Sequence, residues 1–127
     1  MKILVTGAAG RVGNVVATGL RENGHRVAVH DLAAEIPGFT AADTVRTGDL
    51  ADLDELAEIT SGMDAVCHLG GDPGGGATTK VAGSDGSWTS ILNANIVGTY
   101  NIFEACRRSG VRRVAYASRA GLLGGDQ

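Results

Sequence analysis

The chain carries little positive charge. Lys2 and Lys80 are its only lysines, and the formal net charge of the 127 residues is −3. A general nucleic-acid-binding protein presents a basic face, so this composition argues against that function. Arginines do cluster near the predicted end of one helix, where the helix dipole alone favours cations; they are Arg107, Arg108, Arg112 and Arg113. We therefore expect no nucleic-acid partner.

Cysteines and long apolar runs are also scarce. Cys67 and Cys106 lie within apolar segments, so buried free thiols in a reducing compartment are favoured over a disulfide. Neither has a Cys or His at zinc-ligand spacing, and no metal is expected. No apolar run approaches the ~18 residues of a membrane span, and the N-terminal pattern is not that of a signal peptide. These absences predict a cytoplasmic protein without a membrane partner.

Glycine, by contrast, is abundant, with 20 residues in the chain. Gly7, Gly10 and Gly13 form a G-x-x-G-x-x-G pattern between an apolar strand pattern and helical spacing that begins at about Arg11. In such a turn the first glycine adopts special dihedrals, the second lets backbone approach a pyrophosphate, and the third allows close packing of the helix on the sheet. The helix N-terminus adds N–H groups and partial positive charge. The pattern predicts a dinucleotide site, with an ordinary strand–turn–helix as the alternative.

Strand and helix patterns alternate along the chain. Strands are predicted at residues 2–6, 26–31, 44–47, 65–69 and 113–117. Helices are predicted from about 11 to 23, 53 to 59 with Asp52 as its cap, and 88 to 106. This alternation predicts one α/β domain over residues 1–127, a doubly wound parallel sheet of the Rossmann type with strand order 3-2-1-4-5.

An acidic residue ends the second predicted strand. Asp31 follows Gly13 by 18 residues, and a carboxylate at this position can accept hydrogen bonds from both hydroxyls of an adenosine ribose. It would repel a 2′-phosphate, and Leu32 and Ala33 supply no compensating cation. NAD is therefore expected in preference to NADP. A turn Asp at a strand end is the alternative.

Two other positions extend this site. Asp49 follows the third predicted strand, where its carboxylate can bind the adenine amino group while Leu50 supports the ring. A helix-entry turn explains the same residues without a ligand. Arg11 can reach a phosphate or remain a solvated side chain at the start of the helix.

The long predicted helix contains a polar residue within its apolar stripe. Asn95 needs a hydrogen-bond partner there, because a buried amide without one costs free energy. It either bonds a neighbouring backbone or lies beside the cofactor or a proton-relay water. Gly98, in mid-helix, suggests close packing. The three histidines show no partner in the sequence and are expected at strand ends or on the surface rather than as catalytic bases: His25, His30 and His68.

Taken in order, these segments resemble a known family. T-G-A-A-G-R-V-G at 6–13, Asp31, G-D-L at 48–50, D-A-V-C-H-L-G-G at 64–71, N-I-V-G-T at 95–99 and the strand at 111–118 look like the N-terminal half of an extended short-chain dehydrogenase/reductase of the NAD-dependent epimerase/dehydratase group. The His-Leu-Gly-Gly run is similar to that of uronate dehydrogenases, which oxidise a sugar acid at its anomeric carbon.

The resemblance implies a residue-by-residue NAD site. Asp31 would bind the ribose, Asp49 and Leu50 the adenine, and Asn95 matches the family's helix Asn. The pyrophosphate would lie on the turn and the first helical residues, namely Gly7, Gly10, Arg11, Val12 and Gly13. The path toward the nicotinamide ribose would be lined by Leu69, Gly70 and Gly71. The full enzyme would be a homodimer that transfers hydride between nicotinamide and a carbinol carbon of a sugar or sugar-nucleotide.

The chain departs from the family pattern near its end. Ser118 ends the strand that leads to the catalytic Ser or Thr, but Arg119 stands where many members have a second Ser, so either position is a candidate for the catalytic site. The family's Tyr-x-x-x-Lys pair is absent, since Tyr100 is followed four residues later by Glu104 and Tyr116 by Ala120. We therefore expect a fragment of marginal stability without the catalytic helix, sixth strand and substrate domain. A non-catalytic dinucleotide-binding module is the alternative, and residues 70–87 are either a substrate lid or a solvated loop.

Overall fold

Five parallel strands form a single sheet in the computed structural model, which describes residues 1–72 and 87–118. The strands are β1 (Lys2–Thr6), β2 (Arg26–Asp31), β3 (Thr44–Thr47), β4 (Ala65–His68) and β5 (Val114–Tyr116). Their order is β3-β2-β1-β4-β5, and every pairing is parallel. The predicted doubly wound sheet is confirmed, with β4 and β5 slightly shorter than predicted.

Helices cover the sheet at the predicted places. They are α1 (Arg11–Glu22), α2 (Leu53–Thr60), α3 (Trp88–Ile91) and α4 (Gly98–Ser109), with a π-helical segment, Leu92–Val97, between the last two. Asp52 caps α2 as predicted, because its carboxylate accepts the N–H of Glu55 at 3.1 Å. Helix α4 ends at Gly110, whose φ of 75° is left-handed.

The long helix predicted over residues 88–106 is helical throughout, but its middle, Leu92–Val97, is π-helical rather than α-helical. The Thr99 hydroxyl donates to the carbonyl oxygen of Asn95 at 2.7 Å, and such back-bonding competes with the α-helical amide for that oxygen. The π turn therefore lies where a side chain interrupts the normal ladder, a position where π-helices often accompany functional residues.

Helix α1 buries only part of the face that its apolar spacing indicates. The spacing of Val12, Val15, Val16 and Leu20 is that of one helix face. Val16 and Leu20 do pack against the core, but Val12 is 65% and Val15 73% exposed. Gly13 and Ala17 are buried beside Val16 and Leu20. Because these small residues let the backbone of α1 approach the sheet and the glycine turn, the helix is rotated toward them.

The core lies in two layers, since successive strand residues point to opposite faces. On one face Leu4, Ala28 and Val66 pack against α2 and α4. On the other, Ile3, Val5 and Val29 pack against α1 and the loop that follows β2. The carboxyl ends of β1, β2 and β4 meet at one edge, which brings the glycine turn, Asp31 and Leu69 together.

Some of the sequence predictions fall on residues that the structure does not describe. Most of the glycine-rich loop, at 73–86, and Arg119 lie outside them. Within residues 1–72 and 87–118, no helix has the length and apolar character needed to cross a membrane. Both cysteines are free thiols, Cys106 buried and Cys67 half-buried.

Candidate functional site

The glycine turn is shaped by contacts that exclude larger side chains. Gly7 has a φ of 70°, and a Cβ there would lie 2.6 Å from the amide nitrogen of Gly70 and the carbonyl oxygen of Leu69. A Cβ at Gly13 would overlap the carbonyl group of Gly7. The third glycine therefore packs α1 on the turn itself, which refines the expectation that it packs on the sheet.

The N-terminus of α1 faces the same space as the turn. Gly10 is its N-cap residue, no side chain caps it, and its first turn contains no acidic residue. The first N–H groups of a helix have no partner within the helix. With the partial positive charge of the dipole, they form a ready site for an anion.

Asp31 is held in a fixed orientation at the end of β2. One carboxylate oxygen accepts the N–H of Ala9 at 2.9 Å, and the other accepts the N–H of Ala33 at 3.1 Å. Each oxygen keeps a second lone pair for a ligand donor. The bond to Ala9 also fixes the glycine turn beside β2, so the predicted ribose and phosphate sites are parts of one structure.

Leu50 forms the cavity floor between the loop after β4 and the start of α4. A Cβ at Gly98 would lie 2.7 Å from the Cβ of Leu50, and one at Gly70 would lie 3.0 Å from its Cδ1. The side-chain amide of Asn101 donates to the Leu50 carbonyl oxygen at 2.9 Å. The close packing predicted at Gly98 is present, and it locks Leu50 in place.

Asp49, next to this floor, is exposed and makes a local bond. Its carboxylate accepts the N–H of Ala51 at 2.9 Å, as expected for the helix-entry turn. Asp49 also lines the main cavity, and its contact with an adenine stays a prediction.

A buried polar row lies beneath the turn. Thr6 Oγ1 accepts the N–H groups of Leu69 and Gly70, both at 3.1 Å, and lies 2.7 Å from Nδ1 of His68. With two donors already at this oxygen, the Thr6 hydrogen is directed to Nδ1, which places the imidazole proton on Nε2. Burial lowers the pKa of His68 to about 4, with a smaller contribution from His30. His68 is therefore neutral at pH 7 and positions the loop that follows β4.

His30 occupies the same layer of the sheet as Thr6 and His68, and it is also buried. Within the described part of the chain, neither ring nitrogen has a hydrogen-bond partner, and Nε2 lies 3.9 Å from a carboxylate oxygen of Glu55. Burial lowers the pKa of His30, opposed by the charges of Asp31 and Asp49. The histidines of β2 and β4 are at strand ends, as expected, but in the interior rather than on the surface.

Asn95 pairs with a neighbouring backbone. Its Oδ1 accepts the N–H of Asp72 at 2.6 Å, and its Nδ2 donates to the Asp72 carbonyl oxygen at 2.7 Å. Of the two roles that the sequence left open for Asn95, this pairing is the hydrogen bond to a neighbouring backbone. Asn95 lines a smaller cavity of about 310 Å³, together with His68, Thr99 and Tyr116, so a role beside a cofactor stays a prediction.

The main cavity has a volume of about 710 Å³ and extends over the glycine turn from the ends of β2 and β3 to the loop after β4. Every residue predicted to bind the cofactor lines it except Asn95, namely Gly7, Gly10, Arg11, Val12, Gly13, Asp31, Asp49, Leu50, Leu69, Gly70 and Gly71. Ser118, the candidate catalytic hydroxyl, is exposed and lines neither of these two cavities.

Sequence reasoning missed the part of the wall formed by Asp72, Ser90 and Ala94. Ser90 and Ala94 are four residues apart, which places them on one helix face. That spacing is the only sequence signal for them, and it is common to any helix. Asp72 was attributed to the loop, although it is buried.

A parallel α/β sheet, a glycine turn at its carboxyl edge and an acidic residue at the end of the second strand together define a dinucleotide-binding domain of the Rossmann class. The amino-acid sequence narrows the class further. Residues 3–127 match the NAD dependent epimerase/dehydratase family, and the chain belongs to that family.

Individual relatives agree with this assignment. The chain is 36% identical to a uronate dehydrogenase of Pseudomonas syringae pv. tomato, covering 97% of this chain and 41% of that protein. It is similar to a mutant uronate dehydrogenase of Agrobacterium tumefaciens solved with NAD, with 32% identity, a TM-score of 0.74 and coverage of 92% and 40%. MoeE5, solved with UDP-glucose and NAD, gives 33% identity, a TM-score of 0.77 and coverage of 99% and 39%. The chain thus spans about two fifths of the length of these relatives, and NAD is the cofactor of the family.

Proposed function

We propose that this chain is the NAD-binding portion of an oxidoreductase or epimerase that acts on a sugar or sugar-nucleotide. The observation that supports it most directly is the single cavity that joins Asp31, the glycine turn and Leu69. A dinucleotide needs these three subsites in one line, for a ribose, a pyrophosphate and a second ribose. Bound NAD supplies the hydride acceptor or donor, while the chain orients it.

The residues at the adenosine end of the cavity and at the start of α1 have proposed roles. Asp31 binds the hydroxyls of the adenosine ribose, and Asp49 binds the adenine amino group above Leu50. Both carboxylates disfavour the extra phosphate of NADP, and Leu32 and Ala33 offer it no cation. Arg11, exposed at the first position of α1, contacts the pyrophosphate.

The substrate and the oligomeric state are properties of the full-length protein. The relatives and the His-Leu-Gly-Gly run support a uronate-like sugar acid, and we propose a homodimer for the full-length form. Ser118 is the proposed catalytic hydroxyl; if the catalytic Ser of the family corresponds instead to position 119, Arg119 has replaced it and this chain lacks that hydroxyl. The alternative is a non-catalytic dinucleotide-binding module. The sequence of the complete gene distinguishes it from the enzyme, because the enzyme requires a Tyr-x-x-x-Lys pair to remove the hydroxyl proton.

Calorimetric titration with NAD and NADP tests the binding role. We expect NAD to bind more tightly than NADP, and Asp31→Asn to weaken NAD binding about ten- to a hundredfold, because hydrogen bonds to a charged group contribute ~1.5–3 kcal/mol. Asp54→Asn makes the same charge change on exposed α2 and is expected to leave binding unaltered. Tighter binding of NADP than of NAD, or equal effects of both variants, would contradict the proposal.

A further inference from the structure

His30 is a buried polar side chain to which the proposed function gives no role. It is 1% exposed, and within residues 1–72 and 87–118 neither of its ring nitrogens has a hydrogen-bond partner. A neutral imidazole carries one N–H donor and one acceptor, and leaving both unpaired in the interior costs free energy. Packing alone would favour an apolar side chain, so the imidazole points to a function for its nitrogens.

Three carboxylates surround this ring. Nε2 of His30 lies 3.9 Å from a carboxylate oxygen of Glu55 on α2. Burial lowers the pKa of His30, and the negative charges of Asp31, next on β2, and Asp49, in the loop after β3, oppose this by raising it. The loss of hydration thus keeps the ring neutral in the free chain, although the charges around it favour a proton.

Other titratable groups on the strands and helices around His30 are neutral or already paired. Burial lowers the pKa of His68, in the same layer of the sheet, to about 4. Arg46, opposite His30 in β3, donates to Glu58 at 3.2 Å. On α2 and α4 further charged groups are held in local contacts, namely Asp52 with the N–H of Glu55, and Glu104 with Arg107 and Arg108. Glu55 is thus left as the partner for a protonated His30.

The Glu55 carboxylate links His30 to the adenine end of the cavity. A Cβ at Gly48 would overlap both of its oxygens, so the carboxylate lies directly against the Gly48 backbone. Gly48, Asp49 and Leu50 follow one another and line the main cavity together with His30. Burial raises the pKa of Glu55, so Glu55 and His30 are expected to titrate as a coupled pair. A movement of Glu55 toward His30 acts on the segment that carries the proposed adenine contacts.

A bound dinucleotide would change the electrostatics at His30. The pyrophosphate proposed on the glycine turn adds negative charge to the cavity that His30 lines. The adenosine displaces water from Asp31 and Asp49, so their charges act through a lower dielectric. Both changes favour the imidazolium form, whereas His30 is already buried and loses little further hydration. Ligand binding and protonation of His30 therefore support each other.

We propose that NAD binding is coupled to the uptake of one proton from solvent by His30, which then donates from Nε2 to the Glu55 carboxylate. The inference rests on the proposed NAD-binding function. The gap of 3.9 Å exceeds a hydrogen bond by about 1 Å, and a small rotation of the Glu55 side chain closes it beside Gly48. Because binding takes up a proton, NAD binds more tightly as the pH falls.

Isothermal titration calorimetry counts this proton. NAD is titrated into the intact chain at pH 6 in two buffers of different ionisation enthalpy, and the difference between the two binding heats gives the number of protons taken up. We expect about half a proton per NAD at pH 6, and a Kd about threefold lower at pH 6 than at pH 7.5. NAD itself does not titrate between these pH values.

Two variants assign the proton. His30→Asn cannot titrate, and we expect it to bind NAD without proton uptake and with a Kd that stays the same between pH 7.5 and pH 6. Glu55→Gln removes the acceptor of the new hydrogen bond and is expected to lower the uptake to less than about half of the wild-type value. His25→Asn and Asp54→Asn make the same chemical changes away from the pair, and both are expected to keep the wild-type uptake.

Proton NMR of the imidazoles gives a reading that needs no variant at His30. The chain has three histidines, and the signal of His25 is identified by its loss in His25→Asn. His68, with a pKa of about 4, stays neutral at pH 6. We therefore expect one signal other than that of His25 to move toward the protonated position when NAD is added at pH 6.

The outcomes separate the two proposals. If wild type binds no NAD, the proposed function fails, and the proton-coupled binding fails with it. If wild type binds NAD without proton uptake, without the imidazole shift, or with an uptake that His30→Asn retains, the inference is overturned and the proposed function stands.

Discussion

At the scale of single residues, the buried imidazoles determine how the site responds to acid. The folded chain holds His68 neutral, because protonation would leave a charge in the interior and would compete for the hydrogen bond from Thr6. Burial lowers the pKa of His30 as well. Both residues lie directly beneath the loop and turn that shape the cavity.

Acid is therefore expected to destabilise the fold through His68. An unfolded chain protonates this residue near pH 6.5, whereas the folded chain resists protonation until about pH 4. The stabilisation is complete above pH 6.5 and is lost as the pH falls toward 4. This difference between the folded and unfolded pKa of His68 corresponds to about 3 kcal/mol of stability. It is measured by comparing the free energy of unfolding in urea at pH 7 with that at pH 4.

Two variants assign this pH dependence. His68→Asn keeps an acceptor for Thr6 but does not titrate, and we expect it to reduce the slope of the stability curve between pH 6.5 and pH 4, leaving the smaller slope to which His30 contributes. His25→Asn removes an imidazole outside the buried row and is expected to keep the wild-type slope. An unchanged slope in His68→Asn would show that other groups cause the acid sensitivity.

At the scale of elements, the junction between the π-helical segment and α4 controls the cavity floor. Gly98 is the first residue of α4, and it packs directly on Leu50. A glycine in mid-helix costs about 1 kcal/mol relative to alanine. Its presence follows from the contact, because no larger residue fits between α4 and Leu50.

Gly98→Ala is expected to destabilise the fold by about 1–3 kcal/mol, because the new Cβ overpacks against Leu50. NAD affinity is expected to fall as well, since Leu50 forms the floor of the adenine end. Gly19→Ala is the matched control: nothing lies within 4 Å of its Cβ, and helix propensity predicts a gain of up to about 1 kcal/mol. Thermal unfolding and calorimetry measure both effects; a stabilised Gly98→Ala would refute the packing argument.

Local patterns predicted the elements well, because strand and helix periodicity and the Asp52 cap act within a few residues of the chain. They failed where distant contacts decide. The rotation of α1 depends on the approach of Gly13 to Gly7, and the π turn on a bond from Thr99. Asp72 joins the site through partners 18 and 23 residues away, which no local pattern encodes.

At the scale of the whole molecule, an apolar face on the helical segment and β5 is left open to solvent among the described residues. Ile96, Tyr100, Phe103 and Tyr116 are 45% to 64% exposed. The first three are spaced as one helix face, and the rings of Phe103 and Tyr116 lie edge to face at 6.1 Å. Contiguous exposed apolar surface of this kind drives association or aggregation.

We therefore expect this chain to self-associate at micromolar concentration and to bind a hydrophobic dye. Phe103→Glu places a carboxylate in the middle of the face and one helical turn before Arg107, an arrangement that helices tolerate well. It is expected to remove most of the association in sedimentation velocity and most of the dye fluorescence, without loss of helicity. Val15→Glu introduces the same charge at an exposed apolar position of α1, on the other side of the sheet, and is expected to change neither. A wild-type chain that sediments as a monomer and binds no dye would contradict the prediction, as would equal effects of the two substitutions.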